Sequence, residues 1–204
     1  MPKLVLALIA ACLAGPAFAA DVTVEVRNSA GQPVRDAVVM IRPNGGVAPG
    51  TPMKASWPLI MAQQNVQFAP YVLIAPVGSV VSFPNKDKVR HHVYSFSTPK
   101  KFELKLYGKD ESRTITFDKP GAVSLGCNIH DSMIAYIYVS DTPFAAKSGA
   151  DGLAVVRGAP AGGSTLLVWH PDIKARAAVS RALVVAGAAQ RTAITVDLRP
   201  SVAR

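Results

Sequence analysis

From Val22 to Leu198 the apolar residues come in short runs rich in Val, Ile and Thr, each ended within a few residues by Gly, Pro or Asp. Sixteen prolines and fifteen glycines punctuate the 204 residues. Proline removes a backbone donor and glycine weakens regular structure, so this spacing favours strands joined by turns over long helices. The expected fold class is all-β. Half of the residues are hydrophobic, which suffices for an ordinary core and excludes a disordered chain, and the length allows one large domain or two small ones.

The first residues read as a leader. Lys3 gives a positive start, Leu4 to Leu13 an apolar stretch too short to span a bilayer, and Ala17-Phe18-Ala19 an A-x-A cleavage site. Residues 1–19 are therefore expected to be a signal peptide, with the mature protein periplasmic. Ile9-Ala10-Ala11-Cys12 also resembles a lipobox, and the alternative is acylation at Cys12 and anchoring to a membrane surface. No later segment is long and apolar enough for a transmembrane helix. With Cys12 in the leader, Cys127 is a lone thiol in an oxidising compartment, where metal ligation or burial would protect it.

The formal charge is +9, or +8 without Lys3. Lys86, Lys88, Arg90, Lys100, Lys101, Lys105, Lys109 and Arg113 form a basic stretch. It suits either a solvated face or a docking surface for an acidic redox partner or an anionic membrane. Nucleic acid is excluded as a partner by the expected export and the lack of an interleaved aromatic and basic motif.

Three blocks follow. Val22 to Pro43 reads as two strands around Ser29-Ala30-Gly31-Gln32-Pro33, a hairpin. Asn44 to Pro58, rich in Gly and Pro, reads as a linker. Leu59 to Val139 carries expected strands at Val66–Phe68, Val72–Ala75, Val80–Phe83, His92–Phe96, Thr114–Phe117, Val123–Leu125 and Ala135–Val139, a β-sandwich spacing. From Asp141 to Leu198 strands are expected near Leu153–Arg157, Thr165–Trp169, Ala182–Val185 and Ala193–Leu198.

The middle block holds the chemistry. Cys127-Asn128-Ile129-His130-Asp131-Ser132-Met133 places a thiolate, an imidazole and a thioether in one loop between two strands. A further ligand must come from elsewhere, and Arg90-His91-His92-Val93 supplies one at a strand entry. Two imidazoles, a thiolate and a weak thioether suit copper in an electron-transfer site. Structural zinc would call for a closed Cys/His set and gives methionine no place. Alternation puts His91 on the face opposite His92, Tyr94 and Phe96. Singly, Cys127 and Met133 would read as core residues and each His as an ordinary one; their spacing is what argues for a metal.

Leu59 to Val139 resembles a cupredoxin, with the C-x2-H-x2-M spacing of amicyanin and the family's N-x5-H-x-V pattern at Asn85, His91 and Val93. HHVYSFS, FDKPGAV, GCNIHDSM and VWHP resemble periplasmic proteins labelled methylamine utilization proteins. The resemblance implies a Greek-key sandwich over residues 56–140 holding one copper ion, Cu(I) or Cu(II), on His91, Cys127 and His130 with Met133 axial. The chain departs from the pattern at His92, where cupredoxins carry Asn, and at Asp131, where amicyanin has Pro. VRNSAGQPVRDAVVMI and SGADGLAVVRGAPAGGSTLLVWHP resemble two parts of a carboxypeptidase regulatory-like (Ig/transthyretin-like) β-sandwich. Residues 21–45 and 141–200 are thus expected to form one sandwich with the cupredoxin inserted between them.

Such a site exchanges single electrons with redox partners and breaks no substrate bond, so the chain is not expected to be an enzyme. Four histidines are too few for a multicopper oxidase, and one remaining cysteine is too few for a dinuclear copper site. A copper carrier or assembly protein without a redox role is the alternative function, and a metal-free β module for adhesion or scaffolding a third. His170 reads as structural and Trp169 as core, while Tyr94, Phe96 and Tyr107 read as core or rim packing rather than an electron relay.

Overall fold

The computed structural model describes residues 19–175 and 177–200, all strands and connections. The leader features at Lys3, Cys12 and Ala17 lie outside the described residues. The first block gives β1 (Ala19–Asn28) and β2 (Val38–Pro43). The middle block gives β3 (Ala62–Gln63), β4 (Phe68–Ala69), β5 (Val72–Pro76), β6 (Ser79–Pro84), β7 (His91–Ser95), β8 (Phe102–Tyr107), β9 (Ser112–Phe117), β10 (Gly121–Gly126) and β11 (Ile134–Ser140). The last gives β12 (Ala145–Lys147), β13 (Leu153–Pro160), β14 (Gly162–Trp169), β15 (Val179–Val185) and β16 (Gln190–Val196).

The two strands of the first block do not form a hairpin. β1 lies in a sheet ordered β13-β1-β16, and β2 in another ordered β12-β2-β14-β15. Burial explains the separation. β1 alternates, with Val22, Val24 and Val26 inward, as a strand with one covered face must. Val38-Val39-Met40-Ile41 is buried at every position, which requires cover on both faces. The Ser29 to Gly31 turn closes tightly, with Asn28 N–H donating to Gln32 O at 2.9 Å. Asp36, at φ 61°, and Ala37 N–H donating to Ser148 Oγ at 2.9 Å then carry the chain across to the second sheet. Val39, Ile41, Leu166 and Val168 of one sheet pack against Val22, Val24, Val156 and Ile194 of the other.

The middle block makes its own sandwich. One sheet is ordered β5-β11-β10-β7-β8, parallel only between β5 and β11, and β6-β9 faces it. Phe83, Val93, Phe117, Leu125, Ile137 and Met61 fill the space between them. The result is a second two-sheet β-sandwich. The strand expected at Val66–Phe68 is displaced: Val66 has φ 55° and sits in the turn of the β3-β4 hairpin, leaving Phe68–Ala69 as strand. β3, β8 and β12 are additional to the strands read from the sequence.

The two sandwiches share a third apolar layer. Val38 and Met40 of β2 and Leu167 of β14 point away from their own core and meet Val72 and Ile74 of β5 and Tyr138 of β11. Trp169 stacks beside Tyr138 and Tyr136 at 5.1 and 5.9 Å between ring centroids. The linker contributes as well, since Trp57 Nε1–H donates to Ile74 O at 2.8 Å.

Candidate metal centre

β10 ends at Gly126 and β11 begins at Ile134, so the Cys127 to Met133 segment is a loop clamped between two central strands. Met133 N–H donates to His130 O at 2.9 Å and folds the loop back. Cys127 and Met133 are buried in the same apolar cluster, His130 is half-buried and Asn128 exposed. His91 opens β7 fully buried.

One donor atom from each of His91, Cys127 and His130 lies within 4.8 Å of the others. Cys127 Sγ is 3.9 Å from His130 Nδ1, and the His91 and His130 rings are 5.0 Å apart at 59°. The residues fit a metal. Among the described residues His91 Nδ1 is buried without a hydrogen-bond partner, so its lone pair is available to a cation. Its Nε2 is 2.8 Å from Asp87 Oδ2, which leaves Nδ1 as the free donor. A thiolate and two imidazoles beside a buried thioether is a set that suits copper.

His92 is not in this group. Its ring turns outward, Nε2 2.9 Å from Glu103 Oε1 on β8, and its Nδ1 is also buried without a partner. The Glu103 contact ties β7 to β8, at the position where the sequence resemblance implies an Asn. Asn85 takes up loop fastening instead: its Nδ2 donates to Val89 O at 2.9 Å and Tyr107 O at 3.0 Å, while Oδ1 accepts from Asp87 N–H at 2.9 Å.

Asp87, which contacts the His91 ring, is not singled out by the sequence analysis. Two features mark it in hindsight: it precedes His91 by four residues and follows Asn85 by two, the spacing of an Asx turn. Burial alone would push its carboxyl up; the Val66 amide, the His91 ring and the Asn65 amide outweigh that and hold it below the ordinary range. Beneath the site, Tyr107 donates to Phe83 O at 2.8 Å and meets Gln63 Nε2. Burial raises its phenol to about 12 against the Gln63 hydrogen bond and the charge of Arg113.

The rim is mixed. An open cleft beside Cys127 and Met133 is bordered by Tyr94, Phe96, Asp131 and Ile134, with Phe96 80% exposed and thus rim, not core. Tyr94 lies across Gly126, where a Cβ would meet its ring at 2.7 Å. His170 is buried far along β14's exit and its Nδ1 accepts from Asp172 N–H at 3.1 Å, a structural role. Trp169 packs against both neighbouring apolar clusters.

No protein-family profile matches the chain, and no curated protein matches it by sequence. Among solved structures it is similar to a copper-containing nitrite reductase from Thermus scotoductus SA-01, at 31% identity and a TM-score of 0.40, over 47% of this chain and 25% of that one. The chain thus spans a quarter of that enzyme's length. It is similar to a reduced variant of amicyanin at 18% identity and TM-score 0.38, over 52% of this chain and 99% of that one. An oxidized amicyanin variant gives 19% and 0.37 over the same shares.

Proposed function

We propose that the protein is a periplasmic single-copper carrier of electrons, with His91, Cys127 and His130 as strong ligands and Met133 as the weak axial one. The observation that carries this reading is the convergence of a buried Cys, a buried His with an unpartnered Nδ1 and a half-buried His within 4.8 Å. Copper held there would cycle between Cu(I) and Cu(II) by one electron. Cys127 gives a covalent path into β10, His130 brings its ring edge to the surface, and the clamped loop limits rearrangement of the ligands. The basic stretch from Lys86 to Arg113 suits an acidic redox partner. The described residues contain no helix long and apolar enough to cross a membrane.

The domain boundaries belong to the same reading. Residues 21–45 and 141–200 form a carboxypeptidase regulatory-like sandwich, and residues 56–140 are the copper-binding insertion. The pairing of β2 with β14, and of β1 with β13 and β16, supports it.

Titration of the metal-free protein with Cu(II) tests the function. An intense visible band should develop to one equivalent and bleach reversibly with ascorbate, and Cys127→Ser should abolish it. A colourless Cu(II) adduct would overturn electron transfer in favour of copper carriage. Met133→Leu should keep the colour and raise the potential, because a weak axial donor has been removed.

A further inference from the structure

The turn between β3 and β4 is made at an unusual cost. Asn65 and Val66 both have positive φ, 58° and 55°, the pattern of a two-residue hairpin turn whose second position normally takes Gly. A β-branched residue there is a genuine outlier, and strain of this kind persists where surrounding structure enforces it. The enforcing contact is visible. Asn65 N–H donates to Asp87 Oδ1 at 2.7 Å and Val66 N–H to Oδ2 at 2.9 Å. The strained turn is a two-amide cradle for one carboxylate.

The same segment is fastened on its other side. Lys86 N–H donates to Gln63 O at 2.9 Å, and Gln63 and Asn85 form an isolated bridge. Asp87 Oδ2, held by Val66, also meets His91 Nε2 at 2.8 Å. The contacts therefore run in series from the hairpin turn to the carboxylate, to the buried imidazole, to the unpartnered Nδ1.

We infer that Asp87, clamped by the Asn65-Val66 turn, is the positioning residue of the metal centre, fixing the His91 tautomer and making its Nδ1 a stronger donor. This rests on the copper reading. A carboxylate on the far nitrogen of a ligand histidine orients the ring and raises its basicity, and removing such a partner typically lowers metal affinity by about 10–100-fold. The more highly charged ion gains more from a basic ligand. Asp87 therefore holds Cu(II) more strongly than Cu(I) and keeps the potential down.

The test compares wild type with Asp87→Asn and Asp87→Ala. Both should weaken Cu(II) binding by about 10–100-fold and Cu(I) binding less. Each tenfold change in the ratio is a rise of about 59 mV for a one-electron couple. Asn cannot replace Asp, because its NH₂ would face a donor whichever way it turned. In the metal-free protein, nitrogen-15 NMR should show His91 protonated on Nε2 in wild type and mixed between tautomers in Asp87→Asn. Wild-type potential in both Asp87 variants, with colour intact, would overturn the inference and leave the copper reading standing. A wild type that takes up no copper would sink that reading; the tautomer measurement would still decide Asp87's role, since unchanged His91 signals in the variants overturn it. Should Asp87→Ala not fold, Asp87→Asn supplies the same comparison.

Discussion

The adjacent histidines show how much a single position decides. His91 and His92 are both buried, each has Nε2 on a carboxylate, and each has Nδ1 unpartnered. They differ in the side of β7 from which they project, and His91 alone joins Cys127 and His130. His91→Ala should therefore abolish the coloured copper adduct, while His92→Ala should retain it; titration of both variants with Cu(II) checks this, and the reverse result would move the ligand by one residue. Tyr107 gives a prediction that needs no metal. Its phenol is raised to about 12 in the fold against about 10 in the unfolded chain. The folded state thus resists deprotonation. The stability is complete below pH 10 and is lost as pH rises from there toward 12, by on the order of 2 kcal/mol. Denaturant midpoints measured from pH 9 to 12 should fall over that window in wild type and less in Tyr107→Phe, which begins less stable because Gln63 loses its hydroxyl partner.

At the scale of elements, one glycine makes a sharp case. Gly152, ahead of β13, has φ 79°, and a Cβ there would lie 2.6 Å from Val26 O. Gly152 O in turn accepts from Val26 N–H at 2.8 Å. Gly152→Ala forces a backbone shift where β1 meets β13, and should lower unfolding free energy by about 1–3 kcal/mol in a denaturant titration, while the folded variant binds copper with unchanged colour. The alternation of VTVEV, the Pro and Gly punctuation and the Cys127 to Met133 spacing made the strands and the grouping of His91, Cys127 and His130 legible in the sequence. What alternation does not report is which sheet a strand joins. β1 and β2 read as a hairpin because the Ser29 to Gly31 turn is tight; the crossing at Asp36 depends on Ser148, more than a hundred residues away. β8 was missed because FELKLY, on an edge with both faces partly wet, carries charge where core strands carry valine. Val66 misled for a related reason: its β propensity is overridden by the contact of its amide with Asp87, and propensity does not register a tertiary hydrogen bond.

At the scale of the molecule, the two sandwiches are not independent bodies on a string. Val38, Met40 and Leu167 on one side and Val72, Ile74 and Tyr138 on the other are at most 9% exposed, and they form a cluster of their own. That explains why β2 and β5 are buried at successive positions although each lies in a sheet with only one face toward its own core. A fragment of residues 56–141 would present Val72, Ile74, Tyr136 and Tyr138 to water as one contiguous patch, the kind of surface that drives self-association. It would also lose the bond from Lys147 Nζ to Val72 O at 2.9 Å. The ligand loop and its apolar core lie within the fragment, so copper binding should survive if the patch is made polar. The expected outcome in sedimentation is an associated wild-type fragment and a monomeric, copper-coloured one carrying Ile74→Lys and Tyr138→Lys. In the full chain Ile74→Lys should do the opposite, burying an unpaired charge and lowering stability by on the order of 3–5 kcal/mol. A monomeric wild-type fragment together with an unaffected full-length Ile74→Lys would show that the shared layer contributes little to the fold and that the middle sandwich stands alone.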